Sequence, residues 1–167
     1  MNQLTESLNS EHLKKALSCG KELFDNYLHT KANQDIKRKL AAWFVLVDKE
    51  TKLIKGYYTL SNNSIFSEII PEKYQNKLPK SYTSISTTLL GRLAIYNHFQ
   101  GKGIGKILLI DALLRCFEAS KKMGSFAVVV DPLDEDAVSF YAKLGFILLP
   151  NSGKMFLLMQ TIKQLFS

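Results

Sequence analysis

Three glycines at alternate positions, from Gly101 to Gly105, form the segment whose residue types most clearly indicate a ligand site. The segment follows a strand-like stretch, residues 83–95, and leads into a stretch with helical periodicity, residues 103–123. A helix N-terminus attracts anions through its free N–H groups and its dipole. Glycines let a phosphate approach the backbone closely, and Lys102 and Lys106 add positive charge. The pattern predicts a site for a phosphate or pyrophosphate group.

The spacing of these glycines excludes two common phosphate-binding motifs. A P-loop requires Ser or Thr after its Gly-Lys pair, whereas Gly105-Lys106 is followed by Ile107. A dinucleotide-binding loop requires the pattern G-x-G-x-x-G and a different order of strands. Taken alone, a glycine-rich turn before a helix is a structural turn about as often as it is a ligand site.

Tyr141 is an aromatic residue of a second predicted helix. It lies on a predicted helix that opens with Asp134-Glu135-Asp136, whose negative charge suits a helix N-terminus. The apolar stripe of that helix comprises Ala137, Phe140, Tyr141 and Leu144. From spacing alone, Tyr141 is better explained as a core aromatic residue than as a catalytic one.

The elements that position these residues are helices and strands in alternation. The sequence predicts two helices within residues 11–39, a hairpin of Leu40–Val47 and Leu53–Leu60, and strands at Thr83–Ile95 and Phe126–Val130 on either side of the long helix. A helix after residue 134 and a hairpin of residues 146–149 and 155–159 complete the chain. A strand, a helix and a second strand in this order make a parallel crossover, so the fold class is mixed α/β with one sheet.

Length and composition indicate one domain, residues 1–167, able to bury a core. The longest apolar run, Leu40–Val47, is too short to cross a membrane, and the N-terminus lacks the apolar region of a signal peptide. A cytoplasmic location is therefore expected. The two cysteines and three histidines show no ligand spacing, so no metal is predicted. Cys116 falls on a helical apolar stripe, which indicates a buried thiol.

The net charge of +7 is spread along the chain. An excess of this size suggests an anionic partner, either nucleic acid or a phosphorylated cofactor. Many small basic proteins nevertheless bind nothing anionic, and charge alone does not separate the two interpretations. The densest basic stretch runs from Lys31 to Lys39 and includes Lys37 and Arg38.

The segment Gln100-Gly-Lys-Gly103-Ile-Gly105 matches Q/R-x-x-G-x-G/A, the acetyl-coenzyme A signature of the GNAT N-acetyltransferases. Residues 91–95 resemble the central strand of that family, and residues 137–146 its A-x-x-F-Y-x-x-x-G-F helix. A finer resemblance is to the acetyltransferase toxins of bacterial toxin–antitoxin pairs. It is carried by Ser18–Gly20, Phe24–Leu28, Gly56–Ser61 and Leu90–Ala94. Pro132 departs from the pattern, because many relatives have a small residue there.

The resemblance implies a GNAT fold, in which a twisted mixed sheet is flanked by helices and its central parallel strands splay apart. Acetyl-coenzyme A would be the co-substrate, with its pantetheine on the central strand and its pyrophosphate on the glycine loop. The residues implied for this cofactor are Leu93, Ala94, Ile95, Gln100, Gly101, Lys102, Gly103, Ile104, Gly105 and Lys106. The N–H groups of Leu93 or Ile95 would stabilise the carbonyl oxygen, and Tyr141 would protonate the leaving thiolate.

The toxin resemblance implies acetylation of the amino group of aminoacyl-tRNA, with Lys37, Arg38 and Arg92 as candidate RNA contacts. It also implies a ribbon-helix-helix antitoxin as partner, and the wider family suggests a homodimer. Two alternatives stay open. One is a general acetyltransferase of small amines or protein amino groups. The other is a non-catalytic acyl-coenzyme A-binding or antitoxin-binding module, against which Tyr141 argues, because binding alone requires no acid. Arg92 has a second interpretation, as a structural ion-pair partner.

Overall fold

The chain alternates short helices with the strands of a single sheet, in a computed structural model that describes residues 2–18 and 26–167. In chain order the elements are β1 (Glu6–Ser7), α1 (Ser10–Ser18), α2 (Asn26–Arg38), β2 (Ala42–Val47), β3 (Ile54–Phe66), α3 (Glu72–Gln75), β4 (Ser84–Ile95), α4 (Ile104–Ser120), β5 (Ala127–Val130), α5 (Glu135–Lys143), β6 (Ile147–Leu148), β7 (Met155–Leu158) and α6 (Met159–Leu165). None of the helices in the described ranges has the length and apolar character needed to cross a membrane.

The seven strands form one mixed sheet in the order β1-β2-β3-β4-β5-β7-β6. Strand β4 runs parallel to β5, and the register pairs Thr88 with Val128 and Leu90 with Val130. Strand β7 pairs antiparallel with both β5 and β6. Helix α4 connects the two parallel strands, as their crossover requires. The predicted mixed α/β fold with a central parallel pair is thereby confirmed.

The chain divides into two compact units, of which the first comprises residues 1–61 and 91–115. Its core consists of side chains from helices α1 and α2, from Leu8 just before α1, and from strands β2 and β3. Trp43 and Tyr57 stack at its centre, with ring centroids 5.1 Å apart, and the Trp43 indole N–H donates to Asp35 at 3.1 Å. The buried members of this core are Leu8, Leu13, Ala32, Trp43, Val45 and Tyr57.

The second unit comprises residues 62–90 and 116–167. All four residues of β5 are buried, as the continuous apolar run predicts. Tyr74 contacts Phe156 edge-on, with ring centroids 5.6 Å apart, and so connects the β3–β4 segment to this core. The buried core members are Ile65, Ile70, Ile85, Ala127, Val129, Leu149, Phe156 and Leu158. The existence of one domain over residues 1–167 stays a prediction.

Several elements differ from the sequence analysis. Strand β3 continues to Phe66 rather than ending at Leu60, although Asn62-Asn63-Ser64 are poor strand formers. The predicted last strand reaches Met159, where the structure begins α6. The two-residue strand β1 was not predicted. Of the segments that carry the finer resemblance, Cys19-Gly20 and residues 24–25 lie outside the described residues.

Candidate functional site

The glycine loop has the backbone conformation that only glycine adopts readily. Gly101 and Gly103 have φ angles of +77° and +76°, in the left-handed region that L side chains avoid. A Cβ atom built on either residue would meet no atom within 4 Å. The loop therefore presents bare backbone to open space, which is the arrangement that close approach of a phosphate requires.

Helix α4 begins directly after this loop, at Ile104. The Ile107 N–H donates to the Gly103 carbonyl at 3.3 Å, which is the first bond of the helical series. The N–H groups of residues 104–106 precede that bond and have no acceptor within the helix. Lys102 and Lys106 are exposed on either side of the helix start. Free donors, the helix dipole and two cations thus coincide here, which favours an anionic ligand.

Gln100 closes the turn that leads into the loop. Its side-chain Nε2 donates to the Ile95 carbonyl at 3.1 Å, and its backbone N–H donates to the Asn97 carbonyl at 3.2 Å. The backbone N–H of Gln100 is therefore already bonded, and the donors open to a ligand begin at Gly101. Among the predicted cofactor residues, Gln100 acts on the loop by holding its shape.

The backbone of β4 presents alternate N–H groups to opposite edges. The Tyr96 N–H donates to the Lys55 carbonyl of β3 at 2.8 Å, and the Arg92 N–H donates to Thr59 Oγ1 of β3 at 2.9 Å. Because successive N–H groups of a strand point in opposite directions, those of Leu93 and Ile95 face away from β3. Within the described residues, the β4–β5 ladder ends at Leu90 and Val130, while β4 continues to Ile95.

Two glycines permit the close approach of β3 to β4. A Cβ atom on Gly56 would lie 2.7 Å from the Ala94 carbonyl and 2.8 Å from the Leu108 side chain of α4. A Cβ atom on Gly91 would lie 2.9 Å from Thr59 Oγ1. Thr59 is a residue with a positioning role that the sequence analysis did not assign. It lies within Gly56–Ser61, the segment of finer resemblance, and that was the available signal.

A buried polar cluster fixes α4 in the first unit. The Asp111 carboxylate of α4 accepts hydrogen bonds from the Thr5 hydroxyl (2.5 Å), the Tyr58 hydroxyl (2.8 Å) and the Leu4 N–H (2.6 Å). The Arg115 guanidinium donates to the Tyr58 hydroxyl at 2.9 Å. Burial is the main cause that raises the pKa of Tyr58, so its hydroxyl stays protonated. The cluster anchors the helix whose N-terminus carries the glycine loop.

Tyr141 is buried in the last turns of α5. Asp134 caps this helix by accepting the Ala137 N–H at 2.8 Å, as the acidic start predicts. The Tyr141 ring makes edge contacts with Phe140 and Phe146, each at a centroid distance of 5.2 Å. In the part of the chain that the structure describes, its hydroxyl makes no hydrogen bond. Burial raises the pKa of Tyr141 to about 12, so the phenol is protonated at neutral pH.

The three candidate RNA contacts are exposed on the first unit. Lys37 and Arg38 end helix α2, and Arg92 lies on β4, where its N–H is bonded to Thr59. Lys37 also lines a cavity of about 470 Å³. Lys31 differs from its neighbours, because it lies 3.7 Å from the Asp35 carboxylate and is partly neutralised. The other lining residues of the cavity are Leu8, Asn9, Ser10, Leu13, Asn33 and Ile36.

Within residues 2–18 and 26–167, no three His, Cys, Asp or Glu side chains are placed to hold a metal ion. Cys116 is 1% exposed on α4, as its place on the apolar stripe predicts.

A family model described as "Acetyltransferase (GNAT) domain" matches residues 39–148. A curated protein of Mycobacterium tuberculosis named "tRNA-acetylating toxin" is 29% identical over 135 residues, which cover 81% of this chain and 78% of that protein. A second, "Probable toxin TacT" of Sinorhizobium fredii, is 27% identical over 164 residues, which cover 93% and 90%.

Three solved structures are similar to this chain in fold. AtaT complexed with acetyl-methionyl-tRNAfMet has a TM-score of 0.81 and 27% identity, covering 99% of this chain and 100% of that one. AtaTR bound with AcCoA has a TM-score of 0.72 and 31% identity, covering 89% and 88%. A mutant AtaT bound to the C-terminus of the antitoxin AtaR has a TM-score of 0.72 and 24% identity, covering 98% and 97%, which shows the fold alone.

Proposed function

Because the chain belongs to the acetyltransferase (GNAT) domain family, we propose that it transfers an acetyl group from acetyl-coenzyme A to the amino group of aminoacyl-tRNA and thereby blocks translation. The observation that carries this proposal is the extent of the likeness. The toxin of Sinorhizobium fredii matches 93% of the chain, well beyond residues 39–148, and AtaT, solved with an acetylated aminoacyl-tRNA, covers 99% of it.

The glycine loop is the proposed binding site for the pyrophosphate of acetyl-coenzyme A. The residues fit such a group, because Gly101 and Gly103 leave open space where side chains would stand. Backbone N–H groups from Gly101 to Lys106 serve as donors, with Ile104 and Gly105 in the first turn of α4. The Lys102 and Lys106 ammonium groups add charge attraction. The co-substrate itself supplies the activated acetyl thioester.

The outer part of β4 is the proposed binding strand for pantetheine and the acetyl carbonyl. The N–H groups of Leu93 and Ile95 face the edge away from β3, so they are free of the β3 ladder. The backbone of Leu93–Ile95, with Ala94 in the middle, would hold the pantetheine amides as a sheet holds an added strand. Either N–H group can stabilise the negative charge that develops on the carbonyl oxygen.

Tyr141 is the proposed acid. The substrate amine forms a bond to the acetyl carbon, the carbon–sulfur bond breaks, and the departing thiolate takes the phenolic proton. The surplus proton of the amine leaves to solvent, and the phenol regains its proton from water. Burial keeps Tyr141 protonated until then, and its contacts with Phe140 and Phe146 orient the ring. The buried packing of Tyr141 is therefore compatible with the proposed catalytic role, because the same contacts hold the phenol in position.

Residues 91–106, which include the glycine loop, contain no strong base, and this favours an α-amino group as the acetyl acceptor. His98 is exposed, with its ring against Tyr96, and no carboxylate lies in residues 91–106. A lysine amine, with a pKa of about 10.4, would require a base, whereas an α-amino group titrates near 8 and is partly neutral at pH 7. We further propose that Lys37, Arg38 and Arg92 contact the RNA backbone.

Three further proposals follow from this assignment. The chain acts in the cytoplasm, where charged tRNA is available. It pairs with an antitoxin of the ribbon-helix-helix class, as the resemblance to the acetyltransferase toxins implies. It assembles as a homodimer.

The test is acetyl transfer from labelled acetyl-coenzyme A to charged and to uncharged tRNA. We expect label on charged tRNA alone, and arrest of growth when the chain is expressed without an antitoxin. Equal labelling of both tRNAs would overturn the proposed substrate. Rapid acetylation of small amines with neither tRNA labelled would also overturn it and would indicate a general acetyltransferase.

A further inference from the structure

Strand β1 forms one edge of the sheet, and its outer backbone groups are open. The Leu8 N–H donates to the Trp43 carbonyl at 2.8 Å, and the register places Ser7 opposite Phe44. Because successive residues of a strand point their backbone groups to opposite edges, the N–H and C=O of Ser7 face away from β2. Within the described residues neither group has a hydrogen-bond partner, and Ser7 is exposed. Such a donor–acceptor pair fits another extended chain.

The cavity of the first unit begins at the next residue after Ser7. Its volume of about 470 Å³ lies within the range of ligand-binding pockets, roughly 300–1,000 Å³. Its apolar lining consists of Leu8 and Leu13, which are 5% and 2% exposed, and the half-buried Ile36. The cavity therefore has an apolar floor and a polar rim, as the insertion of an apolar side chain requires. The rim residues are all exposed, and they are Asn9, Ser10, Asn33 and Lys37.

Three consecutive exposed cations, Lys37, Arg38 and Lys39, lie at the end of α2. In the part of the chain that the structure describes, none of them forms an ion pair. Lys37 is the single charged residue of the cavity lining. The carboxylate of this helix, Asp35, is 7% exposed and lies 3.7 Å from the Lys31 ammonium group, so it leaves the three cations unneutralised. The surface beside the cavity is complementary to an acidic partner.

Hydrogen bonds hold the corner between β1 and α1 in one shape. Asn9 Oδ1 accepts the His12 N–H at 3.0 Å, and the Asn9 N–H donates to His12 Nδ1 at 3.1 Å. Glu6 Oε1 lies 3.1 Å from His12 Nε2. Glu11, the other exposed carboxylate of this corner, is outside the cavity lining. A corner held in this way keeps the Ser7 edge and the cavity in a fixed relation, which lowers the ordering cost of binding.

We propose that the β1 edge and this cavity together form a docking site for an extended acidic segment of a protein partner. The segment pairs with Ser7 as an added strand, inserts an apolar side chain into the cavity and sets carboxylates against Lys37–Lys39. RNA lacks the alternating amide donors and acceptors that complement a strand edge. A second copy of this chain, with a net charge of +7, would meet the same cations with like charge.

Lys37 is also a proposed contact of the RNA backbone, so a segment bound at this site competes with charged tRNA. Competition of this kind raises KM for charged tRNA and leaves kcat unchanged. This consequence rests on the proposed function, whereas the docking site itself rests on the strand edge, the cavity and the cations.

The test selects peptides from a phage-displayed library of random sequences on the wild-type chain. We expect the selected peptides to carry Asp or Glu two positions from a large apolar residue, because both then lie on one face of an added strand. Asn33→Trp fills the cavity from its exposed rim and should weaken their binding about ten-fold or more. Gln34→Trp adds the same side chain at the next exposed position, outside the lining, and should keep wild-type affinity. Acetyl-coenzyme A affinity stays unchanged in both variants.

A second arm tests strand addition independently of the cavity. Ser7→Pro removes the outward N–H, a change that an edge strand tolerates, and should weaken peptide binding about five-fold. Ser7→Ala keeps the N–H and should bind as the wild type does. In amide hydrogen exchange followed by NMR, the Ser7 N–H should become protected when a selected peptide binds. Equal affinities of the two variants, with no protection of Ser7, would show that no strand is added and overturn the proposal.

The remaining outcomes separate the docking site from the proposed function. If the selected peptides bind Asn33→Trp and Gln34→Trp equally, the docking site is wrong and the proposed function is unaffected. If cavity-dependent peptides bind but the wild-type chain acetylates no charged tRNA, only the proposed function is overturned. A rise in KM for charged tRNA in Asn33→Trp without peptide would assign the cavity to RNA. Self-association in sedimentation that Ser7→Pro abolishes would assign the edge to a second copy. Either result overturns the proposed occupant.

Discussion

Thr59 Oγ1 accepts a hydrogen bond from the backbone N–H of Arg92 at 2.9 Å. A Cβ atom on Gly91 would lie 2.9 Å from the same oxygen, so the glycine leaves room for the hydroxyl. A threonine hydroxyl on β3 thus takes the role of a backbone carbonyl. Because this bond directs the Arg92 N–H towards β3, it also directs the N–H of the next residue, Leu93, to the opposite edge. The donor proposed for the acetyl carbonyl therefore depends on a side chain 34 residues earlier in the sequence.

Thr59→Val should lower the free energy of unfolding, whereas Thr87→Val should leave it unchanged or raise it. Both threonines are buried, at 6% and 3% exposure. Thr59→Val leaves the Arg92 N–H without its acceptor and should cost about 1 kcal/mol or more. The Thr87 hydroxyl has no partner in the described residues, so Thr87→Val should be neutral or stabilising by about 1 kcal/mol. Urea unfolding checks the pair, and equal destabilisation by both substitutions would contradict the hydrogen-bond assignment.

Gly103→Ala should weaken acetyl-coenzyme A binding about ten-fold or more, because its Cβ enters the space where the phosphate is proposed to bind. The left-handed backbone at this position also disfavours any side chain. Gly153→Ala is the matched control, since Gly153 has a φ of +70° and equally open surroundings. Both variants should lose similar stability, about 1–2 kcal/mol. Calorimetric titration measures the affinities, and equal affinities in the two would move the phosphates to another site.

Tyr141→Phe should keep acetyl-coenzyme A affinity and reduce kcat by roughly 10²–10⁴-fold, because the ring contacts remain and only the proton is lost. Steady-state kinetics with charged tRNA, alongside calorimetry, make the measurement. A purely structural Tyr141 would give a variant with unchanged kcat, since the hydroxyl makes no hydrogen bond within the described residues.

The pH dependence provides a second readout for Tyr141. Burial raises its pKa to about 12, whereas an unfolded tyrosine titrates near 10. Above pH 10 the unfolded chain loses this proton first, so the wild-type chain loses stability between about pH 10 and pH 12. The phenylalanine variant should be relatively more stable in that window and indistinguishable below pH 9. Tyr58 titrates in both proteins, so the difference between them isolates Tyr141.

Lys37→Glu/Arg38→Glu should raise KM for charged tRNA about ten-fold and leave acetyl-coenzyme A affinity intact, because the two cations are exposed at the end of α2, outside the glycine loop. Lys121→Glu/Lys122→Glu reverses an equal charge directly after α4 and serves as the control. The effect should shrink as salt rises. Parallel losses in both double variants would indicate general charge attraction rather than a site.

The elements that the sequence predicts well carry strong local signals. Helix α4, predicted over residues 103–123, runs from Ile104 to Ser120, because a glycine loop precedes a sustained apolar stripe. The GNAT family and the N-acetyltransferase class are also confirmed. They rest on motifs that occupy consecutive residues, such as Gln100–Gly105.

Long-range and context-dependent features were beyond the sequence analysis. The strand β3 continues through Asn62-Asn63-Ser64 because the sheet, rather than intrinsic propensity, decides that stretch. The bonded pair Thr59 and Arg92, and the pair Thr5 and Asp111, join residues far apart in the chain. Periodicity carries no information on such pairs. The individual site roles, Tyr141 included, stay predictions.

The bonds from Leu4 and Thr5 to Asp111 span 107 and 106 residues of sequence. During synthesis on the ribosome, β1 can pair with β2 early, yet the hydroxyls of Thr5 and Tyr58 then have only each other, 3.1 Å apart. The Asp111 carboxylate, which accepts hydrogen bonds from both hydroxyls, is synthesised only with α4. We therefore expect the N-terminal residues of a nascent chain that stops short of α4 to lack their stable hydrogen bonds. These bonds form only after the helix that begins at the glycine loop has been synthesised.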